Sequence, residues 1–208
     1  MNICVPVPAG VADGLRPARF SALKRERPLA ILRAPRLVLR PLALADAPRI
    51  AEFVGDLDVA RMLARVPHPY RQADAEAWIA SQATPEGSAK EAVFAAALDG
   101  ALVGACSHIF GKTAGSAEIG YWVGRPYWGQ GYATEMTAAL LRHGFAARGL
   151  GVTTVSHMID NPASAAVIAK LGFRRTGRRR IGCLARAGEV VVLTYAMTRA
   201  EAEAQPWY

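Results

Sequence analysis

Glu118 to Met136 reads EIGYWVGRPYWGQGYATEM: an alternating segment, then two glycines, then a segment of helical character. That order has chemical content. Gly129 and Gly131 carry no Cβ, so the backbone there can turn tightly and approach a ligand closely. The amides from Gly129 to Thr134 then point together at the open N-terminus of the following helix. Unpaired N–H groups and the helix dipole favour an anion at such a place, and a pyrophosphate is the natural guest. Two glycines before a helix also serve ordinary turns and caps. The loop is not GxxxxGK[ST], since no Lys-Ser or Lys-Thr follows. Nor is it GxGxxG, because Thr134 stands in the third glycine place of a frame beginning at Gly129. Both mismatches disfavour a nucleoside triphosphatase and a Rossmann dehydrogenase.

A second motif runs from Asn161 to Phe173. Asn is a preferred N-cap and Pro162 suits the first helical position. Gly172 then closes the helix as its C′ residue. Helix capping accounts fully for Pro162 and Gly172. It accounts less well for Ser164, whose hydroxyl stands near the positive end of the helix.

With both motifs in view, WGQGYATEM resembles the acyl-CoA pyrophosphate loop of the GNAT acetyltransferase superfamily. That family's pattern, Gln/Arg-x-x-Gly-x-Gly/Ala, is filled here by Trp128, Gly131 and Ala133. Tryptophan in place of Gln or Arg is itself typical of the branch containing the ribosomal-protein N-terminal (Rim-type) acetyltransferases. The resemblance extends to PRLVLRPLALADAP, PHPYRQADAEAWI and NPASAAVIAKLGFRRTG, in family order over residues 35–200. It implies acetyl-CoA as cosubstrate, held by Trp122, Val123, Trp128, Gly129, Gln130, Gly131, Tyr132, Ala133, Thr134, Asn161 and Lys170. It further implies that Asn161 hydrogen-bonds this cosubstrate and that Ser164 faces its sulfur, where a donor stabilises the departing thiolate. The acceptor it implies is a primary amine, either a protein N-terminus such as that of a ribosomal protein or a small molecule. The amine would attack directly in a ternary complex.

Such an amine must lose a proton. An α-amine has a pKa of about 8 and a lysine amine about 10.4. A carboxylate acting directly or through one water meets the need, and Glu118 is the candidate. Strand alternation puts Glu118, Gly120 and Trp122 on one face, with Ile119, Tyr121 and Val123 on the other. The plainer reading is a strand-end glutamate facing water. The same strand is expected to offer the Val123 N–H to the thioester carbonyl, as a donor for developing oxyanion charge. His68, in the PHPY segment, is a weaker candidate for substrate contact. His143 and His157 read as structural.

The elements that must position these groups follow from pattern. Leu37 to Leu42 suits a first strand. Asp46 is expected to cap a helix burying Ile50, Phe53 and Val54, and a short helix near Val59 to Leu63 follows. Asp74 begins a helix burying Trp78 and Ile79. Ala92 to Leu98, the Asp99-Gly100 turn and Ala101 to Phe110 form a hairpin. Ser116 to Val123 is a strand, Thr134 to Ala147 a helix, Thr153 to Met158 a strand and Ala163 to Leu171 a helix. Strands near Ile181 and at Glu189 to Thr198 close the order. This predicts an α/β (α+β) fold: one GNAT-like domain over residues 35–208. Its mixed, mostly antiparallel sheet has six or seven strands, with helices on both faces. A basic Pro/Arg-rich extension, residues 1–34, precedes it.

Of 208 residues, 52% are hydrophobic and 20% charged, which suits one folded domain rather than disorder. No apolar stretch approaches the roughly 20 residues of a membrane span, so no membrane partner is expected. Cys4, Cys106 and Cys183 form no disulfide or zinc pattern. That points to a reducing, cytoplasmic setting without a metal. The net charge of +8 is uneven: +6 lies in residues 1–40 and +7 in Lys170 to Arg186, leaving −5 elsewhere. The second cluster reads as a basic turn. It suits phosphate, nucleic acid, an acidic partner or plain solvation. Two rivals to the enzyme remain at this point: a CoA-binding sensor without turnover, and an RNA- or ribosome-associated binding module. Monomer and homodimer are equally open.

Overall fold

Alternation of Leu37 and Leu39 with Val38 and Arg40 makes the first long strand. In the computed structural model, which describes residues 30–111 and 113–208, this is β2 (Leu37–Pro41), and both leucines are buried. Leu32–Arg33 adds a two-residue edge strand, β1, antiparallel to β2. Most of the basic extension, residues 1–29 with Cys4, lies outside the described residues.

Helices α1 (Ala47–Gly55) and α2 (Leu57–Ala60) follow, then α3 (Gln72–Gln82) and α4 (Pro85–Lys90). Ile50, Phe53 and Val54 on α1 and Ala75, Trp78 and Ile79 on α3 are buried together. The three central strands are β3 (Glu91–Leu98), β4 (Ala101–Phe110) and β5 (Ser116–Val123). The β3–β4 turn has Asp99 and Gly100 at φ +48° and +84°, as a tight hairpin requires. Next come α5 (Tyr132–Ala146), β6 (Val152–Met158) and α6 (Pro162–Leu171), then β7 (Arg174–Cys183), β8 (Gly188–Thr198) and α7 (Arg199–Glu203).

The strands form one sheet in the order β1-β2-β3-β4-β5-β6-β8-β7. The β5–β6 pair, joined through α5, is parallel, and its neighbours are antiparallel. The sheet has eight strands rather than six or seven because two-residue β1 carries no periodic signal. Its two faces bury separate cores. One packs Leu37, Phe94, Ile119 and Val123 under Met136, Leu140 and Phe145 of α5. The other packs Val93, Ala95, Ala105 and Trp122 under α1 and α3.

Two local expectations change. The Asp46 carboxylate does not cap α1. It accepts from the Ala43 N–H at 2.8 Å and forms a two-pronged pair with Arg40, 2.8 and 2.7 Å. The stretch from Arg174 to Arg180 is not a turn but most of β7, the last strand of the sheet.

Candidate active site

The β5–β6 pairing stops early. Ser116 to Ile119 pair with Val152 to Val155, and there the ladder ends. Beyond it β6 stays bound to β8 as far as Met158, while Gly120 to Val123 of β5 turn away with β4. The two strands therefore fork. A cavity of about 630 Å³ fills the fork, lined by β5, β6, the loop before α5, the start of α6 and the segment Arg61 to Ala64.

Register decides which backbone groups face it. Gly104 stands opposite Val123, and the Gly124 N–H donates to the Val103 carbonyl at 2.9 Å. Gly104 and Val123 are thus a non-hydrogen-bonded pair, so the N–H and C=O of Val123 point away from β4 into the fork. The carbonyl accepts from Trp128 Nε1 at 2.7 Å, which ties the loop to the strand. The N–H is left facing the cavity.

Gly129 and Gly131 lie at φ +75° and +82°, a region that favours glycine. A Cβ at Gly129 would meet no heavy atom within 4 Å, and one at Gly131 would meet only Arg36 Nη2, at 3.5 Å. The backbone face of the loop is therefore open. Helix α5 starts straight after Gly131 with no side chain capping its N-terminal amides. Arg36 braces the loop from outside: it donates to the Gln130 carbonyl at 3.0 Å and to Glu135 Oε2 at 2.7 Å, and lies over the Tyr132 ring. An open glycine backbone, an uncapped helix terminus and a nearby guanidinium fit a pyrophosphate. Gly131→Val forces either a strained left-handed residue, at about 1–3 kcal/mol, or a relaxed loop. Acetyl-CoA affinity should then fall about tenfold or more, with the melting temperature lowered by at most about 10 °C and the fold retained. Unaltered affinity in calorimetry would remove the loop from the binding site.

Asn161 Oδ1 accepts from the Ser164 N–H at 3.0 Å, so the helix cap uses the oxygen of that side chain and not its amide nitrogen. The Ser164 hydroxyl is not free. It shares a 2.6 Å hydrogen bond with the Tyr121 hydroxyl, and both residues line the cavity. Lys170 lies on the same helix, exposed at the cavity edge.

Glu118 is 5% exposed, which rules out the water-facing reading. Ser156 Oγ donates to Glu118 Oε1 at 3.0 Å, and Arg179 Nη2 lies 3.6 Å from the same oxygen. Glu118 does not itself line the cavity, but Ser156 does. Beside it, His157 Nδ1 donates to the Met158 carbonyl at 2.8 Å. Its Nε2 therefore accepts from the Tyr195 hydroxyl, 3.0 Å away, in the neutral ring. The wall across the fork from the glycine loop is mostly apolar, with Val59, Met62, Ala64, Met158, Ile181 and Val192 beside Arg61 and Asp160. Arg186 straps this wall. Its Nε donates to the Arg61 carbonyl at 2.8 Å and its Nη1 to Asp160 Oδ2 at 2.7 Å. That hydrogen bond holds the Asp160 carboxyl below its ordinary range.

Residues 36–174 match the family model of the acetyltransferase (GNAT) domain. The chain belongs to the GNAT acetyltransferase family. This acetyltransferase is 27% identical over 147 residues to p20, a Bacillus licheniformis protein described as an N-acetyltransferase, covering 70% of this chain and 83% of p20. Two solved structures share its fold. Mycobacterium smegmatis RimJ, in complex with CoA-disulfide, is 23% identical with a TM-score of 0.72, covering 86% of this chain and 90% of RimJ. RimL, a ribosomal L7/L12 α-N-protein acetyltransferase in complex with coenzyme A, is 19% identical with a TM-score of 0.73, covering 83% and 99%.

Among the residues named from the sequence, Ser164, Trp122, Val123, Trp128, Gly129, Gly131, Tyr132, Ala133, Thr134, Asn161 and Lys170 line one cavity of this acetyltransferase. Gln130 does not. Its carbonyl goes to Arg36, and its side chain turns back to the Pro126 carbonyl at 3.3 Å. His68 is exposed and also lies outside the cavity lining. Tyr121 and Ser156 went unread in the sequence; the Arg61 to Ala64 wall falls in residues 46–90, expected to shape the acceptor pocket but with no residue singled out. Alternation already set Tyr121 on the face of Val123. Ser156 and the wall carried no local signal. His157, read as structural, lines the cavity.

Proposed function

We propose that this acetyltransferase moves the acetyl group of acetyl-CoA onto the α-amine of a protein N-terminus, by direct attack while both substrates are bound. One observation carries the reading. The Val123 N–H, the uncapped α5 terminus, the Tyr121–Ser164 hydroxyl pair and Ser156, bonded to Glu118, all border the same fork. The α5 amides with Gly129 and Gly131 hold the pyrophosphate. The amide nitrogen of Asn161 and the exposed Lys170 hold the rest of the donor. When bound, the donor supplies an activated acetyl carbonyl and a thiol leaving group of pKa about 8.5.

The remaining work belongs to this chain's own groups. Val123 N–H stabilises negative charge developing on the carbonyl oxygen. Ser156, bonded to the Glu118 carboxylate, accepts a proton from the amine and passes its own to Glu118. Ser164, bonded to Tyr121, donates toward the sulfur as the bond to the acetyl group breaks. The apolar wall of Val59, Met62, Ile181 and Val192 excludes water from the attacking amine and disfavours its charged form.

A protein α-amine is favoured over a small amine by that apolar wall, which suits the first side chains of a polypeptide, and by the acceptor in RimL's description. The test is thiol release from acetyl-CoA with two peptides of one sequence. The first has a free N-terminus, the second a blocked N-terminus and a free lysine. Release with the first alone is expected. Release only with small amines would overturn the protein acceptor. Binding of acetyl-CoA with no release for any amine would leave a CoA-binding sensor instead.

A further inference from the structure

Strand β7 ends the sheet, with β8 its one sheet neighbour among the described residues. Its sequence, RRTGRRRIGC, places five arginines in seven residues. Register sorts them. Arg174 and Arg179 stand opposite Ala196 and Val192, on the face that carries Ser156 and Glu118. Both find acids there, Arg174 at 2.6 Å from Glu201 and Arg179 at 3.6 Å from Glu118.

The other three share the opposite face. Arg175, Arg178 and Arg180 stand opposite Tyr195, Leu193 and Val191. The register shift between Arg175 and Gly177 makes this so, because the extra residue of a bulge restores the phase of the strand. Without it Arg175 and Arg178, three apart, would point to opposite faces. The three guanidinium stems thus rise in a row about 7 Å apart. Arg175 and Arg178 form no ion pair among the described residues. Arg180 has only Glu189, at 3.7 Å and with both side chains well exposed.

We infer that this ridge and the outer edge of β7 dock an acidic, extended segment of the protein acceptor, lying alongside β7 as an added strand. The inference rests on the protein-acceptor reading above. An edge strand offers both N–H and C=O groups outward. A polypeptide satisfies both with one regular ladder, whereas a nucleic-acid backbone offers mainly acceptors, its one donor being the ribose 2′-OH of RNA. Side chains at alternate positions of a partner strand repeat at about 7 Å, so carboxylates there meet the arginines in step. A second copy of this chain fits badly, since two β7 strands would set arginine against arginine. One residue past Arg180, Ile181 lines the cavity, so a segment docked on β7 ends near the acceptor wall.

The test separates docking from chemistry. A labelled decapeptide of alternating Glu and Thr, N-acetylated so that it has no amine to modify, should bind the full chain saturably. R175E/R178E should weaken binding about tenfold or more, and R175Q/R178Q should weaken it less. Affinity should fall as salt rises through about 0.1 M, where screening acts over about 10 Å. Acetyl-CoA affinity and the melting temperatures should match wild type. No saturable binding, equal binding by both variants, or tighter binding of a single-stranded RNA would overturn the inference. A loss of acetyl-CoA affinity would too, since it assigns the arginines to the donor's phosphates. Peptide docking without thiol release from any free-amine peptide would leave the docking surface standing and defeat the acetyl-transfer reading.

Discussion

Glu118→Gln is expected to lower kcat by about 10²–10⁴-fold, with acetyl-CoA affinity unchanged. The amide keeps an oxygen for Ser156 but has little basicity. An acceptor α-amine of pKa about 8 is only about one-tenth neutral at pH 7, so the wild-type enzyme depends on a proton acceptor there. Near pH 9 most of the amine is already neutral. The gap between variant and wild type should therefore narrow as pH rises. A purely structural role for Glu118, balancing the Arg179 guanidinium at 3.6 Å, would give a loss that does not change with pH and a lower melting temperature. Ser156→Ala distinguishes further. It removes the hydroxyl between Glu118 and the cavity while leaving the Arg179 pair, and should reproduce most of the kinetic loss. Near-normal turnover of Glu118→Gln at neutral pH would end its assignment as the base.

Ser164→Ala and Tyr121→Phe should each lower kcat by about 10²-fold, the low end for a proton donor because a thiolate is already a fair leaving group. The two hydroxyls lie 2.6 Å apart, so each orients the other and they act as one unit. Residues that act together lose activity non-additively. The double variant should therefore fall little below either single one. Losses that multiply would mean two independent roles. Acetyl-CoA affinity should stay within about twofold, because the change is confined to the departing sulfur. Neither removal should unfold the helix, since the α6 cap uses the Ser164 backbone N–H and the Asn161 side chain.

The parts legible in the sequence were those with local causes. Gly129 and Gly131 announced left-handed backbone before a helix. Asn161-Pro162 announced a helix start, and Asp99-Gly100 a hairpin. Strand alternation sorted Glu118 and Trp122 from Tyr121 and Val123. What stayed hidden came from contacts distant along the chain. Ser156 and Arg179 meet Glu118 from 38 and 61 positions away, and nothing in the spacing links them. Helix position alone gives Ser164 no partner, because Tyr121 lies on another element. The strand expected near Ile181 is β7, but its reach back to Arg174 was hidden for a different reason. As an edge strand with most side chains in water, it shows no alternation of apolar and polar residues, and its arginines read as a solvated turn.

The short β5–β6 ladder also has a mechanical meaning. The sheet is two leaves, β1 to β5 and β6 to β7, stitched along a seam of four residue pairs. Past the stitching no ladder joins the leaves; side chains tie them instead, Tyr121 to Ser164 at 2.6 Å and Arg186 to the Arg61 carbonyl at 2.8 Å. A long thioester thus meets a wedge already open between two strands, with no ladder to part. The chain crosses from one leaf to the other through the glycine loop and α5, and the wedge closes at the four paired residues.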